Sequence, residues 1–337
     1  MSRTTRFNET FDQPAVARGP MMLAAAALLI AASAVACGVK HEKQANDSAI
    51  TSVGGAVVTP AESPDASPPV LAPDRSVPQN VSFATAESAY TRRDYKRATD
   101  MFAVYVQRRP DNAWGQYMLG LSAWKSGDLP TAHTAFERAL EIDPAHVKSL
   151  LNLSRVLLEQ DSASAALDRV SRALAIDSTS GEVHRMMGRV RTALGQPDSA
   201  IASYRLALSQ DPTDVWSMNN MALLLIQQGK YDEALPALAR AVQLRGDAPV
   251  FQNNLGIVLE REGHYSAAAD AYRAALDADS TYGKAAVSLA RVEGLFENPS
   301  LEPVELTTLA ESFDRQVQSW RDSGTVPVAV TARKPEP

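Results

Sequence analysis

Small and bulky apolar side chains return along this chain on a beat of 34 residues. Alanine stands at Ala98, Ala132, Ala166, Ala200, Ala234 and Ala268. Four places on come Phe102, Phe136, Val170, Tyr204, Leu238 and Tyr272, and seven places on come Tyr105, Ala139, Ala173, Ala207, Ala241 and Ala275. Twelve places before each alanine is another small residue: Ala86, Gly120, Ser154, Gly188, Ala222 and Gly256. Twelve places after it come helix-ending types: Pro110, Pro144, Ser178, Pro212, Gly246 and Ser280. Spacings of four and seven share one helix face, so each beat predicts a pair of helices, at 113–125 and 129–141 in the second period. Gly127, Gly195, Gly229 and Gly263 fall in the breaks, where glycine takes the left-handed conformation that ends a helix. Pro144 and Pro212 stop the second helix because proline lacks an N–H and clashes with the preceding turn. The same proline can open the next helix, where the missing donor is harmless.

Small residues on both members of a pair let the two backbones approach. Leu119, Leu153, Met187, Met221 and Leu255 fill the space between. No single pair buries its own apolar face, so the pairs must stack into one continuous core. This combination of period and offsets resembles the tetratricopeptide repeat. The resemblance implies an all-α, right-handed superhelical solenoid of six helix-turn-helix repeats, at 79–112, 113–146, 147–180, 181–214, 215–248 and 249–282. The first repeat is the least regular, with Thr85 and Arg93 where leucine and glycine are typical. Residues 283–322 read as capping and C-terminal helices. In 283–295, Ala286, Leu289 and Ala290 are in core phase. In 304–321, Leu306, Leu309, Phe313, Val317 and Trp320 recur at near-helical spacing. Residues 323–337 read as a disordered tail.

The N-terminal region has a different character. Residues 21–36 are an unbroken run of apolar and small residues ending at Cys37, the sole cysteine of 337 residues. The run is short for a membrane span, which needs about 20 residues, and suits the apolar part of a secretion signal. Ala34, Val35, Ala36 and Cys37 resemble the lipobox of a bacterial lipoprotein, which is cleaved before a cysteine that is then lipidated. A lone cysteine forms no internal disulfide, and this one stands where an anchor would be attached. The segment 37–78 has no aromatic residue and carries Pro60, Pro64, Pro68, Pro69, Pro73 and Pro78. Such a composition does not bury enough apolar surface to order itself. It reads as a disordered tether reaching on the order of 35 Å. Gly38 in place of aspartate after the cysteine points, by resemblance to enterobacterial lipoproteins, to the outer membrane facing the periplasm.

Charge and composition then narrow the function classes. Net charge is −6. Residues 1–36 hold three arginines and two acids, so the mature chain is still more acidic, which disfavours nucleic acid as a partner. His41, His133, His146, His184 and His264 are scattered, with no pair at ligand spacing, and no metal or other cofactor is expected. No nucleophile elbow or phosphate loop occurs. Catalysis and a small-molecule substrate are therefore not expected, and the reading turns to protein recognition.

In tetratricopeptide repeat proteins the first helix of each repeat lines the concave groove. Carried onto this sequence, the groove residues are Phe83, Tyr90, Trp114, Tyr117 and Trp124 early, Asn152, Arg155, Arg185 and Arg189 in the middle, and Asn219, Asn220, Asn253 and Asn254 late. Aromatic and arginine side chains are the usual hot-spot types. Asn152, Asn220 and Asn254 share one place of the repeat. They either hold a peptide backbone, as in an asparagine ladder, or bond between neighbouring helices. The implied partner is a protein or peptide with an apolar anchor on Trp114, Tyr117 and Trp124 and an acidic group on the arginines. The whole plan resembles envelope repeat lipoproteins such as type IV pilus pilotins. It implies a membrane-tethered scaffold or adaptor, or alternatively a regulatory or substrate-recruiting subunit of an envelope hydrolase or glycosyltransferase.

Overall fold

The computed structural model describes residues 80–323. The expected signal segment, Cys37, the tether and the tail from 324 lie outside the described residues. Fourteen α-helices and no strand occur among the described residues. Six hairpins come first: α1 (Phe83–Thr91) with α2 (Tyr95–Arg108), α3 (Ala113–Ser126) with α4 (Leu129–Ile142), α5 (Val147–Glu159) with α6 (Ala163–Ile176), α7 (Gly181–Ala193) with α8 (Pro197–Gln210), α9 (Val215–Gln227) with α10 (Tyr231–Leu244), and α11 (Pro249–Glu262) with α12 (Tyr265–Ala278). Then follow α13 (Gly283–Val292) and α14 (Leu306–Ser323). Each helix packs on its sequence neighbour through α13, which gives the linear stack of a solenoid.

The hairpin turns behave as the glycines predict. Gly127, Gly195, Gly229 and Gly263 all have positive φ, between 68° and 87°. In the first and third repeats Arg93 (φ 63°) and Asp161 (φ 55°) take the same left-handed conformation without glycine. Several helix starts are fixed by side-chain caps: Asn112 accepts from the Gly115 N–H, Asp128 from Thr131 and Ser180 from Val183. Each satisfies an amide that the first turn leaves without a helical acceptor.

All six beat alanines are fully buried. The glycines among the small residues of the first helices sit under rings from the second. A Cβ added at Gly120 would stand 2.7 Å from Phe136 Cδ1, and one at Gly256 would stand 2.5 Å from Tyr272 Cε1. The buried apolar residues form two groups, one running from Val81 to Val190 and the other from Ala200 to Trp320. They meet inside the fourth hairpin. There α7 is rich in charge, and Arg191 crosses to α8 to donate to the Ser199 carbonyl and the Ser203 hydroxyl.

α13 closes the stack and is tied down by Arg291, which grips Glu260 with two bonds of 2.7 Å. The Tyr272 hydroxyl donates to the same carboxylate at 2.7 Å. α13 ends at Val292, earlier than the expected 295, and Gly294 follows with φ 90°. α14 does not continue the stack. It folds back onto α10 and α8, with Phe313, Val317 and Trp320 buried, Arg240 against Asp314 at 2.9 Å and the Arg205 guanidinium 5.5 Å from the Trp320 ring centroid. Its seat is apolar: Ala202, Leu235 and Ala239 are buried, where other second helices carry Thr134, Asp168 and Asp270, or Glu137 and Arg273.

Candidate interaction surface on the first helices

The first helices lie on the tighter side of the stack. Successive ones touch across the intervening hairpin partner, as in α3 with α5, α5 with α7 and α9 with α11, whereas no two second helices touch. A stack whose first helices approach and whose second helices diverge is concave on the first-helix side. This concave side is where the expected groove residues were placed.

Trp114 is the aromatic the fold leaves accessible there, at 42% exposed. Its ring lies 4.9 Å from that of Tyr117, and the Lys148 ammonium stands 5.6 Å from its centroid. Tyr117 and Trp124, expected beside it as anchors, are interior at 1% and 6% exposed. Tyr117 is enclosed by Trp114, Phe136 and His146. Trp124 donates its indole N–H to Glu159 Oε1 of the next repeat at 2.9 Å. Sharing a helix face with Trp114 is compatible with burial because that face also meets the following repeat. Phe83 packs edge-on against Phe102 and Tyr105, and Tyr90 lies against Tyr95. Both are partly buried against the core, so they add less open surface than expected.

The arginine set is similarly divided. Arg155 is interior; it donates to Asn152 Oδ1 and to Glu182 Oε1, the latter at 2.7 Å. Arg185 donates to Asp214 Oδ1 at 2.8 Å, and Asp214 also accepts from the Ser217 hydroxyl at 2.6 Å. These bonds form a polar chain across the third, fourth and fifth repeats. Arg189 belongs to no ion pair or hydrogen bond among the described residues. Burial, then the charge of Arg155, push its guanidinium below the usual arginine range, with Arg185 adding to the effect and Tyr204 and Glu159 opposing it.

The asparagines resolve in favour of bonds between helices. Asn152 donates to the Lys148 carbonyl at 3.0 Å and to the Tyr117 hydroxyl at 3.4 Å. Asn254 donates to Asn219 Oδ1 at 2.7 Å, and Asn253 donates to Asn254. Asn152 and Asn254 of the expected ladder are buried, as are Asn219 and Asn253, so those four amides are spent inside the protein. Asn220 alone among these amides stays partly exposed. It accepts from Asn219 at 3.3 Å.

Among the described residues no three histidine, cysteine or acidic side chains gather as metal ligands. No described helix is long and apolar enough to cross a membrane. The histidines serve the scaffold: His146 caps α5, and His184 bonds the Ser178 carbonyl at 2.9 Å. An acid pair that the sequence did not reveal joins the fifth and sixth hairpins. Burial chiefly, then the influence of the Asp232 carboxyl, push the Glu262 carboxyl up to about 7.

Family models for the tetratricopeptide repeat match residues 117–181 and 219–282, and a second such model matches 183–214. These are tetratricopeptide repeats. The chain is 23% identical over 161 residues to tetratricopeptide repeat protein 8 of Caenorhabditis elegans, covering 47% of this chain and 32% of that protein. It is 27% identical over 172 residues to cellulose synthase operon protein C of Xanthomonas axonopodis pv. citri (strain 306), covering 49% of this chain and 11% of that protein. The chain thus spans less than a third of the length of these curated relatives. Among solved structures, PilF of Pseudomonas aeruginosa has the same fold, with TM-score 0.51 and 20% identity, covering 64% of this chain and 94% of that one. The tetratricopeptide repeats account for the hairpins, the glycine-aromatic contacts and the concave first-helix face together.

Proposed function

We propose that this tetratricopeptide repeat protein is a non-enzymatic scaffold, tethered to a bacterial cell envelope, whose concave face takes an extended segment or helix of a partner protein. The observation that carries the reading is Trp114. A large aromatic ring is presented to solvent on that face, braced by buried Tyr117 and flanked by Lys148. Rigid, accessible aromatics of this kind are enriched among interface hot spots. They also lose little side-chain freedom on binding, because the packed neighbours have already restricted it. Tethering rests on the sequence: the apolar run over 21–36, solitary Cys37 and the proline-rich stretch to 78. The same features favour a lipid anchor with the repeats in the periplasm.

A photo-crosslinking amino acid at position 114 tests the binding face in cells. Ile176, an exposed apolar residue on a second helix, provides the control position. The expected result is partner adducts from 114 and none from 176. Equal adducts from both positions would sink the assignment of the concave face. Cys37→Ser should move the protein out of the membrane fraction and abolish fatty-acid labelling. Unchanged labelling would end the lipoprotein reading.

A further inference from the structure

The turn of the first hairpin is crowded with cations. Arg92, Arg93, Lys96 and Arg97 lie between the end of α1 and the first turn of α2, and all four are exposed. None of them belongs to an ion pair among the described residues. The equivalent places in the five later repeats hold no lysine or arginine. Where Lys96 and Arg97 stand, the fourth repeat has Asp198 and Ser199, and the fifth has Asp232 and Glu233. The fold does not call for these cations. A helix start carries a partial positive charge, which favours acids and disfavours bases. Helices α8 and α10 follow that rule with Asp198, Asp232 and Glu233, whereas the first turn of α2 has no acid. Asp94, inside the cluster, is engaged as the cap of α2 and accepts the Arg97 N–H at 3.3 Å. Glu87 and Asp100 lie on the same hairpin, and neither pairs with the four cations. Tyr90 and Tyr95 flank the cluster, half-buried, with rings 5.4 Å apart. Tyrosine combines an apolar body with a polar tip and is enriched where protein meets the surface of a membrane.

We propose that Arg92, Arg93, Lys96 and Arg97 seat the first hairpin on an anionic phospholipid surface, the one to which the preceding chain is tethered. This inference rests on the tethered reading, and two observations favour lipid over other anions. The patch lies on the repeat joined directly to the proline-rich stretch ending at 78, so it is the part of the stack next to the anchor along the chain. Its cations are all exposed on long stems, which suits a field of phosphates more than one fixed group. Acids at the same places of the fourth and fifth repeats are repelled by such a surface. Attraction is thereby concentrated on the tethered end, and it fades within about 10 Å at ordinary salt.

Vesicle co-sedimentation tests this with the full chain carrying Cys37→Ser, which removes the acyl chain and leaves the patch intact. Vesicles of phosphatidylcholine alone are compared with vesicles holding about 30% phosphatidylglycerol, at ~0.05 M and ~0.5 M salt. Binding to the anionic vesicles should be about tenfold or more tighter at low salt, and the preference should vanish at high salt. The apolar run over 21–36 enters both kinds of vesicle alike and creates no such preference. Arg92→Gln with Lys96→Gln and Arg97→Gln should abolish the preference without lowering the melting temperature. Arg93 is spared because its backbone is left-handed. The same loss of charge at Lys284, Arg315 and Arg321, on α13 and α14, should leave the preference intact. Equal losses in the two triple variants would assign the attraction to overall charge and overturn the proposal. A preference that survives high salt would also overturn it. So would binding of polyglutamate without any preference among vesicles, which would make the occupant an acidic protein. Fatty-acid labelling of the unsubstituted chain keeps the two readings apart. Labelling without a vesicle preference defeats the docking surface and leaves the tether. A preference without labelling defeats the lipid anchor and leaves the docking surface.

Discussion

The ring of Tyr204 closes directly over Gly188, so that a Cβ added to the glycine would stand 2.5 Å from Cε1. The ring is itself almost wholly enclosed, at 1% exposed, and has no room to withdraw. Gly188→Ala should therefore force the fourth hairpin apart and destabilise the protein by about 1–3 kcal/mol, the usual range for overpacking. Denaturant titration reads this directly, and Gly127→Ala is not a substitute because its constraint is backbone, not space. An unchanged midpoint for Gly188→Ala would mean that the two helices slide freely.

Arg93 and Asp161 perform a glycine's task with a side chain attached. A non-glycine residue in the left-handed region is strained, partly offset by glycine's greater chain entropy when unfolded. Arg93→Gly should stabilise the stack by ~0.5–1 kcal/mol. Asp161→Gly should gain less, because aspartate tolerates this conformation better. Thermal unfolding of both variants checks the order.

Glu262 makes stability fall as pH rises. Its carboxyl is pushed up to about 7 in the folded chain, above the ordinary value of 4.5. Its contribution is therefore fully present below about 4.5 and lost as pH climbs through about 7. Part of the side chain meets solvent, so the effect is screened to the order of 1 kcal/mol. Glu262→Gln should raise the melting temperature at pH 8 and change it little at pH 4.5. The opposite pattern would mean that Asp232 and Glu262 repel no more when folded than when unfolded.

α14 should be separable from the stack it clasps. Phe313 is fully buried beneath it, and Phe313→Ala should weaken its docking by about 3 kcal/mol. Amide hydrogen exchange should then quicken along 306–323 and on the outward faces of α8 and α10. Protection in α3 to α6 should stay as it was, because repeat contacts are local. For the same reason, deletion of 147–180, which leaves the α14 seat whole, should give a shorter folded stack by circular dichroism. Global loss of helicity would refute local coupling.

The sequence carried the hairpins because their causes are local and periodic. Gly127 breaks a helix through its own backbone, and Ala132 packs through its own smallness. The α14 seat was harder to read because its signal lies in a contrast between repeats. Ala202 and Ala239 are ordinary helix formers, and they become informative only because equivalent places carry Asp168 and Asp270, or Glu137 and Arg273. The site suffered from a different ambiguity. Trp114 and Tyr117 lie on one helix three residues apart, and only the following repeat decides that one is covered and the other left open. Arg155 and Arg189 hold the same place in successive repeats; Glu182 lies within reach of the first, and among the described residues no acid pairs with the second. Pairing of that kind depends on rotamers across a 27-residue separation, which spacing does not specify.

The division of the apolar core within the fourth hairpin has a mechanical consequence. The fourth hairpin is itself tight, because Tyr204 closes over Gly188, so the two apolar groups are joined there by a ring on a glycine and by the bonds of Arg191. Arg189 stands at that point. A partner segment lying across this joint on the concave face would brace it from outside, as a splint does.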